Sequence, residues 1–242
     1  MNAWMIITLE TQLDWPTEET RVEFEGHALF LRPPDRDCQA DIRLEYEHPQ
    51  SERQAYETIC RFLSILSWSR RRPARVARRI GCSGPDLRLA KGVLVPDLRK
   101  DYCLPKYVQL PSDPKALLAL ALYREALSHW DTPYGFLGYF KIINILYSNR
   151  KKQISWVNRT IPRLSDPQAR KRVDELAHSE PDIGHYLYTS GRCAVAHANT
   201  NPVVDPDSAE DVFRLSADMP LMRALAEHLI EHELGIAREV LE

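Results

Sequence analysis

The spacing of apolar residues changes midway along the chain. In the first part it is short and extended. Met5-Ile6-Ile7-Thr8-Leu9 reads as a strand, and Val22-Glu23-Phe24 and Ala28-Leu29-Phe30-Leu31 flank Glu25-Gly26-His27 as two arms flank a hairpin turn. Ile42-Arg43-Leu44-Glu45-Tyr46 alternates apolar and charged positions, the period of a half-buried strand. From Ser51 to Ser67 the period becomes helical, with Tyr56, Ile59, Cys60, Leu63 and Leu66 on one stripe. Ser51 followed by Gln54 has the form of a capping box, and Pro73 marks the stop. The segment from Arg75 to Ile80 is expected to return to a strand, and Gly92 to Val95 and Tyr107 to Leu110 are short extended candidates.

Beyond a cluster of Pro105, Pro111 and Pro114 the pattern predicts helices alone. Ser112-Asp113-Pro114 carries a helix-start signal, a cap followed by proline at the first helical position. Leu117 to Trp130 is rich in Leu and Ala, and Tyr134 to Asn149 shows Phe136, Phe140, Ile143 and Tyr147 on one face. Ser155 to Pro162 holds a short helix at best. Ser165-Asp166-Pro167 opens a helix through Ala177, Pro181-Asp182 opens one to about Ala198, and Pro220 opens the last, through Glu242. The pattern predicts an α+β chain: a small mixed, β-rich domain over 1–111 and an all-α bundle over 112–242.

Composition does not alter that picture. The 242 residues are 44% hydrophobic and 27% charged, with formal net charge −2, so no global charge demands nucleic acid or a membrane. Five scattered cysteines without a Cys-x-x-Cys pair fit reduced thiols better than disulfides or zinc. The start, Met1-Asn2-Ala3-Trp4-Met5, lacks the basic region of a signal peptide, and the apolar stretch from Phe136 to Tyr147 is too short to span a bilayer. A cytoplasmic protein is expected. Locally, Arg70, Arg71, Arg72, Arg75, Arg78 and Arg79 form one basic run, and a second extends from Arg150 to Arg172. Such runs usually mark a solvated face, with phosphate contact as the other reading.

One constellation carries chemistry. The helix from Asp182 to Ala198 places Ile183, Tyr186, Leu187, Ser190, Ala194 and His197 on a stripe expected to face the core, and its last turns contain Arg192 and His197. Histidine exchanges protons near neutral pH, and arginine presents a fixed fork that matches phosphate oxygens. Five residues of α-helix set two side chains about 140° apart and about 7.5 Å along the axis. The two can share a cleft only through the reach of the arginine or through a second subunit. The bland reading pairs Arg192 with an acid on a neighbouring helix and leaves His197 stabilising a helix C-terminus.

Arg192-Cys193-Ala194-Val195-Ala196-His197, late in a helical domain, resembles the Arg-x4-6-His signature of HEPN domains (higher eukaryotes and prokaryotes nucleotide-binding). That resemblance implies a metal-independent endoribonuclease acting on RNA as a homodimer, with His197 as acid/base, Arg192 as phosphate clamp and an acid from an earlier helix, Glu125 or Asp131, in support; Glu125 is the better placed. Two positions depart from the HEPN pattern: Cys193 stands where a polar residue, often Asn, comes after the arginine, and Asn199 where one toxin subclass has tyrosine. More narrowly, Ala121 to Leu127, Phe140 to Leu146, Gly191 to Ala198, Val204 to Asp207 and Ala226 to Ile236 resemble the bacterial methylamine utilisation protein family MauJ, which implies a genetic neighbourhood and no particular reaction.

The remaining candidates are weaker. Asp205, Asp207, Glu210 and Asp211 cluster as metal carboxylates can, or as acids do at a helix start. Cys193 and His197, one turn apart, have the spacing of a Cys-His hydrolase but no identifiable third member. Gly81-Cys82-Ser83-Gly84 lacks the lysine of a phosphate loop. No pattern calls for a cofactor or a metal. The first domain holds no catalytic pattern, and the arginines at 70–79 are its RNA-contact candidates. A non-catalytic HEPN-fold module binding nucleotide, RNA or protein is the alternative function.

Overall fold

A computed structural model describes residues 2–47, 51–90, 96–100, 110–129, 132–199 and 201–238. The extended candidates at 92–95 and 107–109, Cys103, Trp130 and Asp131 lie outside the described residues. The chain is α+β, and it divides into two compact units: Asp113–Ala237, and the residues up to Ser112 together with those from Arg238.

The first unit is built on a five-stranded antiparallel sheet in the order β3-β4-β5-β1-β6. Its strands are β1 (Asn2–Thr11), β3 (Thr20–Phe24), β4 (His27–Arg32), β5 (Asp41–Glu47) and β6 (Ala74–Cys82). Two short strands, β2 (Asp14–Pro16) and β7 (Asp97–Arg99), pair in parallel beside it. The hairpin between β3 and β4 turns on Glu25 and Gly26, both with positive φ (51° and 75°), as a tight primed turn requires. Helix α1 (Glu52–Arg70) packs on the sheet and stops at Arg71, whose φ of 52° is left-handed. Its first turn corrects one expectation: the Ser51 side chain caps nothing.

β1 lies between two partners, and Met5, Ile6, Ile7 and Leu9 are all buried, so a run replaces alternation. β5 departs from its expected half-polar pattern for a related reason. Arg43 is buried, its guanidinium 5.9 Å from the Trp4 ring and 5.7 Å from the Phe30 ring, and it donates to the Pro85 carbonyl (3.1 Å). Arg32 pairs with the fully buried Asp41 (2.7 Å) and donates to the carbonyls of Pro85 and Leu87. Arginines thus fasten the segment after β6 onto the sheet. The edge strand β6 leaves Arg75, Arg78 and Arg79 exposed, which discourages edge-to-edge pairing.

The second unit is helical: α2 (Pro114–Ser128), α3 (Thr132–Leu146), α4 (Arg150–Thr160), a 3₁₀ turn (Ile161–Arg163), α5 (Pro167–Leu176), α6 (Ile183–Tyr186), a π-helical segment (Leu187–Cys193), α7 (Ala194–Ala196) and α8 (Ala209–His232). Asp113, Asn149, Asp166, Asp182 and Ser208 each cap a helix through a side-chain oxygen that accepts a backbone N–H. α3 is the central element, with Phe136, Tyr139, Phe140, Ile142 and Ile143 buried. It packs against α2 and α8. Gly138 permits the close approach to α2, because a Cβ there would sit 2.9 Å from Ala126 Cβ.

Two helix boundaries differ from expectation. α4 runs a full eleven residues where only a short helix is expected. Its buried stripe is Gln153, Trp156, Val157 and Thr160, half of it polar, so hydrophobic periodicity hides it. α8 begins at Ala209 and carries Pro220 in its interior instead of starting there. The proline forgoes one helical hydrogen bond, which the packing of α8 against α3 and α5 offsets. Among the described residues no helix is long and apolar enough to cross a membrane.

Candidate functional site

The run from Ile183 to Ala196 is one helical rod with a widened middle. Between Leu187 and Cys193 the backbone adopts π-helical i→i+5 hydrogen bonding, which adds a residue to the turn and re-aims the residues beyond it. The widening has a packing reason. Gly191 is buried against α3, and a Cβ on it would fall 2.3 Å from Phe136 Cζ. Arg214 on α8 donates from Nη1 to the Ser190 carbonyl (2.9 Å), supplying a partner to the irregular backbone. At the end of the rod His197 leaves helical geometry (φ −135°, ψ 123°).

These two irregularities decide where the motif goes. His197 is exposed, not on the core stripe expected of it, whereas Tyr186, Leu187 and Ala194 are buried as expected. Arg192 is half-buried, and its Nη1 lies 3.2 Å from His197 Nε2. A guanidinium only donates, so Nε2 accepts and the ring proton belongs on Nδ1. Arg192 Nη1 also lies 3.6 Å from Cys193 Sγ, and its guanidinium stands 5.8 Å from the Tyr188 ring. Among the described residues no carboxylate pairs with Arg192. Burial, and then the adjoining Cys193 thiol, hold the Tyr188 phenol above its ordinary value.

Among the described residues Glu125 makes no hydrogen bond or ion pair with Arg192 or His197. It is exposed and pairs with Arg124 (2.8 Å) and with His129 (4.0 Å), both close to it in sequence near the end of α2. The acidic stretch beyond His197 serves local structure. Asp205 accepts the Asp207 N–H, Asp211 accepts the Asp205 N–H, and Asp211 pairs with Arg214 (3.1 Å). Among the described residues no group of three potential ligands is placed to hold a metal. Of the arginines at 70–79, Arg75 pairs with Glu10 (3.3 Å) and Arg79 lies over Tyr56 (5.0 Å).

A buried polar network supports the rod. Asp218 on α8 is fully buried and accepts from Arg172 Nε (2.8 Å) and from the Tyr186 hydroxyl (2.8 Å). Burial pushes its carboxyl upward, while these two hydrogen bonds pull it back. The network joins α5, α6 and α8, and its Tyr186 stands six residues before Arg192 on the rod.

One neighbour escapes motif reading entirely. Arg150, the first residue of α4, places Nη2 2.7 Å from His185 Nε2. The Arg150 guanidinium lies 5.5 Å from the same Tyr188 ring that Arg192 borders. Only the early Gly184, allowing α6 to close on α4, hints at this in sequence.

No match was found among curated proteins or among solved structures. Residues 119–231 match the family model of the methylamine utilization protein MauJ. The chain is therefore similar to methylamine utilization protein MauJ over a stretch that runs from α2 into α8 and holds both Arg192 and His197.

Proposed function

We propose that the helical unit is an HEPN-like, metal-independent endoribonuclease centred on Arg192 and His197. The observation that carries this reading is the 3.2 Å contact between an arginine with no carboxylate partner among the described residues and an exposed histidine. In the reaction, a 2′-hydroxyl oxygen attacks phosphorus and the bond from phosphorus to the 5′ oxygen breaks. A 2′,3′-cyclic phosphate and a 5′-hydroxyl result. His197 Nε2 has a lone pair, now occupied by an Arg192 N–H. A phosphate that draws that N–H away frees Nε2 to take the 2′-hydroxyl proton, and that proton, given up by the imidazolium directly or through water, protonates the departing 5′ oxygen. The same guanidinium then faces the charge that builds on the phosphoryl oxygens.

The pair also suits a non-catalytic module that only binds RNA or a nucleotide, and the lack of a contact from Glu125 to Arg192 or His197 among the described residues favours that second reading. A labelled RNA, and the same RNA with 2′-deoxyribose throughout, separates the two. The nuclease cleaves the first alone and leaves cyclic phosphate ends. A protein that binds both and cleaves neither is the module.

A further inference from the structure

The Arg192–His197 pair has a counterpart. Arg150 and His185, 35 residues apart in sequence, repeat the same arrangement: a guanidinium N–H on an imidazole Nε2, with both side chains exposed. Both pairs border one ring, with the guanidinium carbons 5.5 and 5.8 Å from the Tyr188 centroid. Among the described residues neither arginine has a carboxylate partner. The two guanidinium carbons are therefore at most about 11 Å apart (5.5 plus 5.8 Å), and two cations at that range without carboxylate partners among the described residues favour an anion between them.

The second pair is also held in place. Asn158 on α4 donates to Asp182 (2.8 Å) and accepts the Gly184 N–H (2.8 Å), while Asp182 accepts the His185 N–H (2.8 Å). A Cβ at Gly184 would stand 2.7 Å from both Asn158 Oδ1 and the Ile154 carbonyl, so only glycine allows α6 so near α4. Asp182 is fully engaged as cap and brace. Its carboxyl is held below its ordinary value by Asn158 first and by the His185 N–H second. On the other side the Tyr188 ring meets Phe140 edge-on at 6.0 Å, which fixes the spacer between the two pairs. Lys151 and Lys152, both exposed, extend the positive edge beyond Arg150.

We propose that Tyr188 and the two Arg–His pairs beside it form one extended site for a single-stranded oligonucleotide, with one phosphate on Arg192–His197 and a neighbouring phosphate on Arg150–His185. The proposal deepens the nuclease reading, on which the first phosphate is the scissile one, but it concerns binding and is measurable without cleavage.

The probe is a short fluorescent 2′-O-methyl oligonucleotide, which cannot be cut through its 2′ oxygen. Its anisotropy is measured with the full chain over a salt series, for the native protein and for Arg150→Gln, Arg192→Gln and Tyr188→Phe. Arg150→Gln is expected to weaken binding about tenfold and to reduce the slope of log affinity against log salt by about 0.7, the increment for one phosphate contact on a single strand. Arg192→Gln is expected to do the same. Tyr188→Phe keeps the ring and is expected to stay within about twofold of the native affinity. Native affinity and slope in Arg150→Gln overturn the second subsite. If Arg192→Gln alone is weakened, the nuclease reading survives that loss. Weakening by Arg150→Gln alone, or no binding by the native protein, overturns the two-phosphate site as well. Arg150 is exposed, so an unchanged thermal midpoint separates lost contact from lost folding.

Discussion

At the scale of single residues, the motif was legible because Arg and His are conspicuous at the end of a helix otherwise rich in small residues. Their mutual geometry was not. It depends on Gly191, whose hydrogen faces the Phe136 ring where any side chain would collide. Gly191→Ala is predicted to cost about 1–3 kcal/mol through overpacking. Thermal denaturation should show a midpoint lower by about 2–4 °C for each kcal/mol lost. Arg150 and His185 were invisible for another reason: a contact across 35 residues, made through the capping of Asp182 and the absence of a side chain at Gly184, leaves no periodic trace.

At the scale of elements, sequence period is a sound guide only where the backbone keeps one period. The π-helical segment breaks the 3.6-residue rule, and so His197 leaves the core stripe on which α-helical spacing sets it. The period shows only the later part of α4 because its buried face includes Gln153 and Thr160. The start of α8 was misplaced because proline suits a first turn better than an interior, and the cap at Ser208 was the truer signal. The caps at Asp113, Asp166 and Asp182, by contrast, were plain in the sequence. The brace between α5, α6 and α8 yields a prediction. Asp218→Ala leaves Arg172 without its buried partner, although Glu175 still holds its Nη1 at 3.0 Å. A loss of about 3 kcal/mol in chemical denaturation is expected, at the lower end for a broken buried pair.

Tyr147, just after α3, donates to Glu233 just beyond α8 (2.7 Å), and Trp156 Nε1 on α4 donates to the same carboxylate. Burial first, and the Glu233 carboxylate second, push the Tyr147 phenol from 10 up to about 12. Between those values the folded state keeps a proton that the unfolded chain gives up. The stabilisation is therefore complete below pH 10 and is lost as pH rises toward 12. In Tyr147→Phe that part of the alkaline decline should disappear, so thermal midpoints of variant and native protein should converge as pH rises through this window. Parallel declines would remove Tyr147 from the account.

At the scale of the whole molecule, the α+β class was legible because the period of two is confined to the first part of the chain, whereas beyond residue 111 only the helical period occurs. The burial of consecutive residues in β1 was less so, since it depends on α1 and on two strand partners distant in sequence. The functional reading places both Arg–His pairs in one chain. In a two-fold dimer each copy would then carry its own complete site. Mixing Arg192→Gln and His197→Ala proteins is accordingly predicted to restore no cleavage, and restoration would show that the site is shared between copies.

The most direct test of the central claim is the single-turnover rate of RNA cleavage in EDTA by the native protein and by His197→Ala, both checked for the same thermal midpoint. The account predicts cleavage by the native protein, with cyclic phosphate ends, and a rate about 10²–10⁴-fold lower in the variant. Equal rates in the two proteins would contradict it.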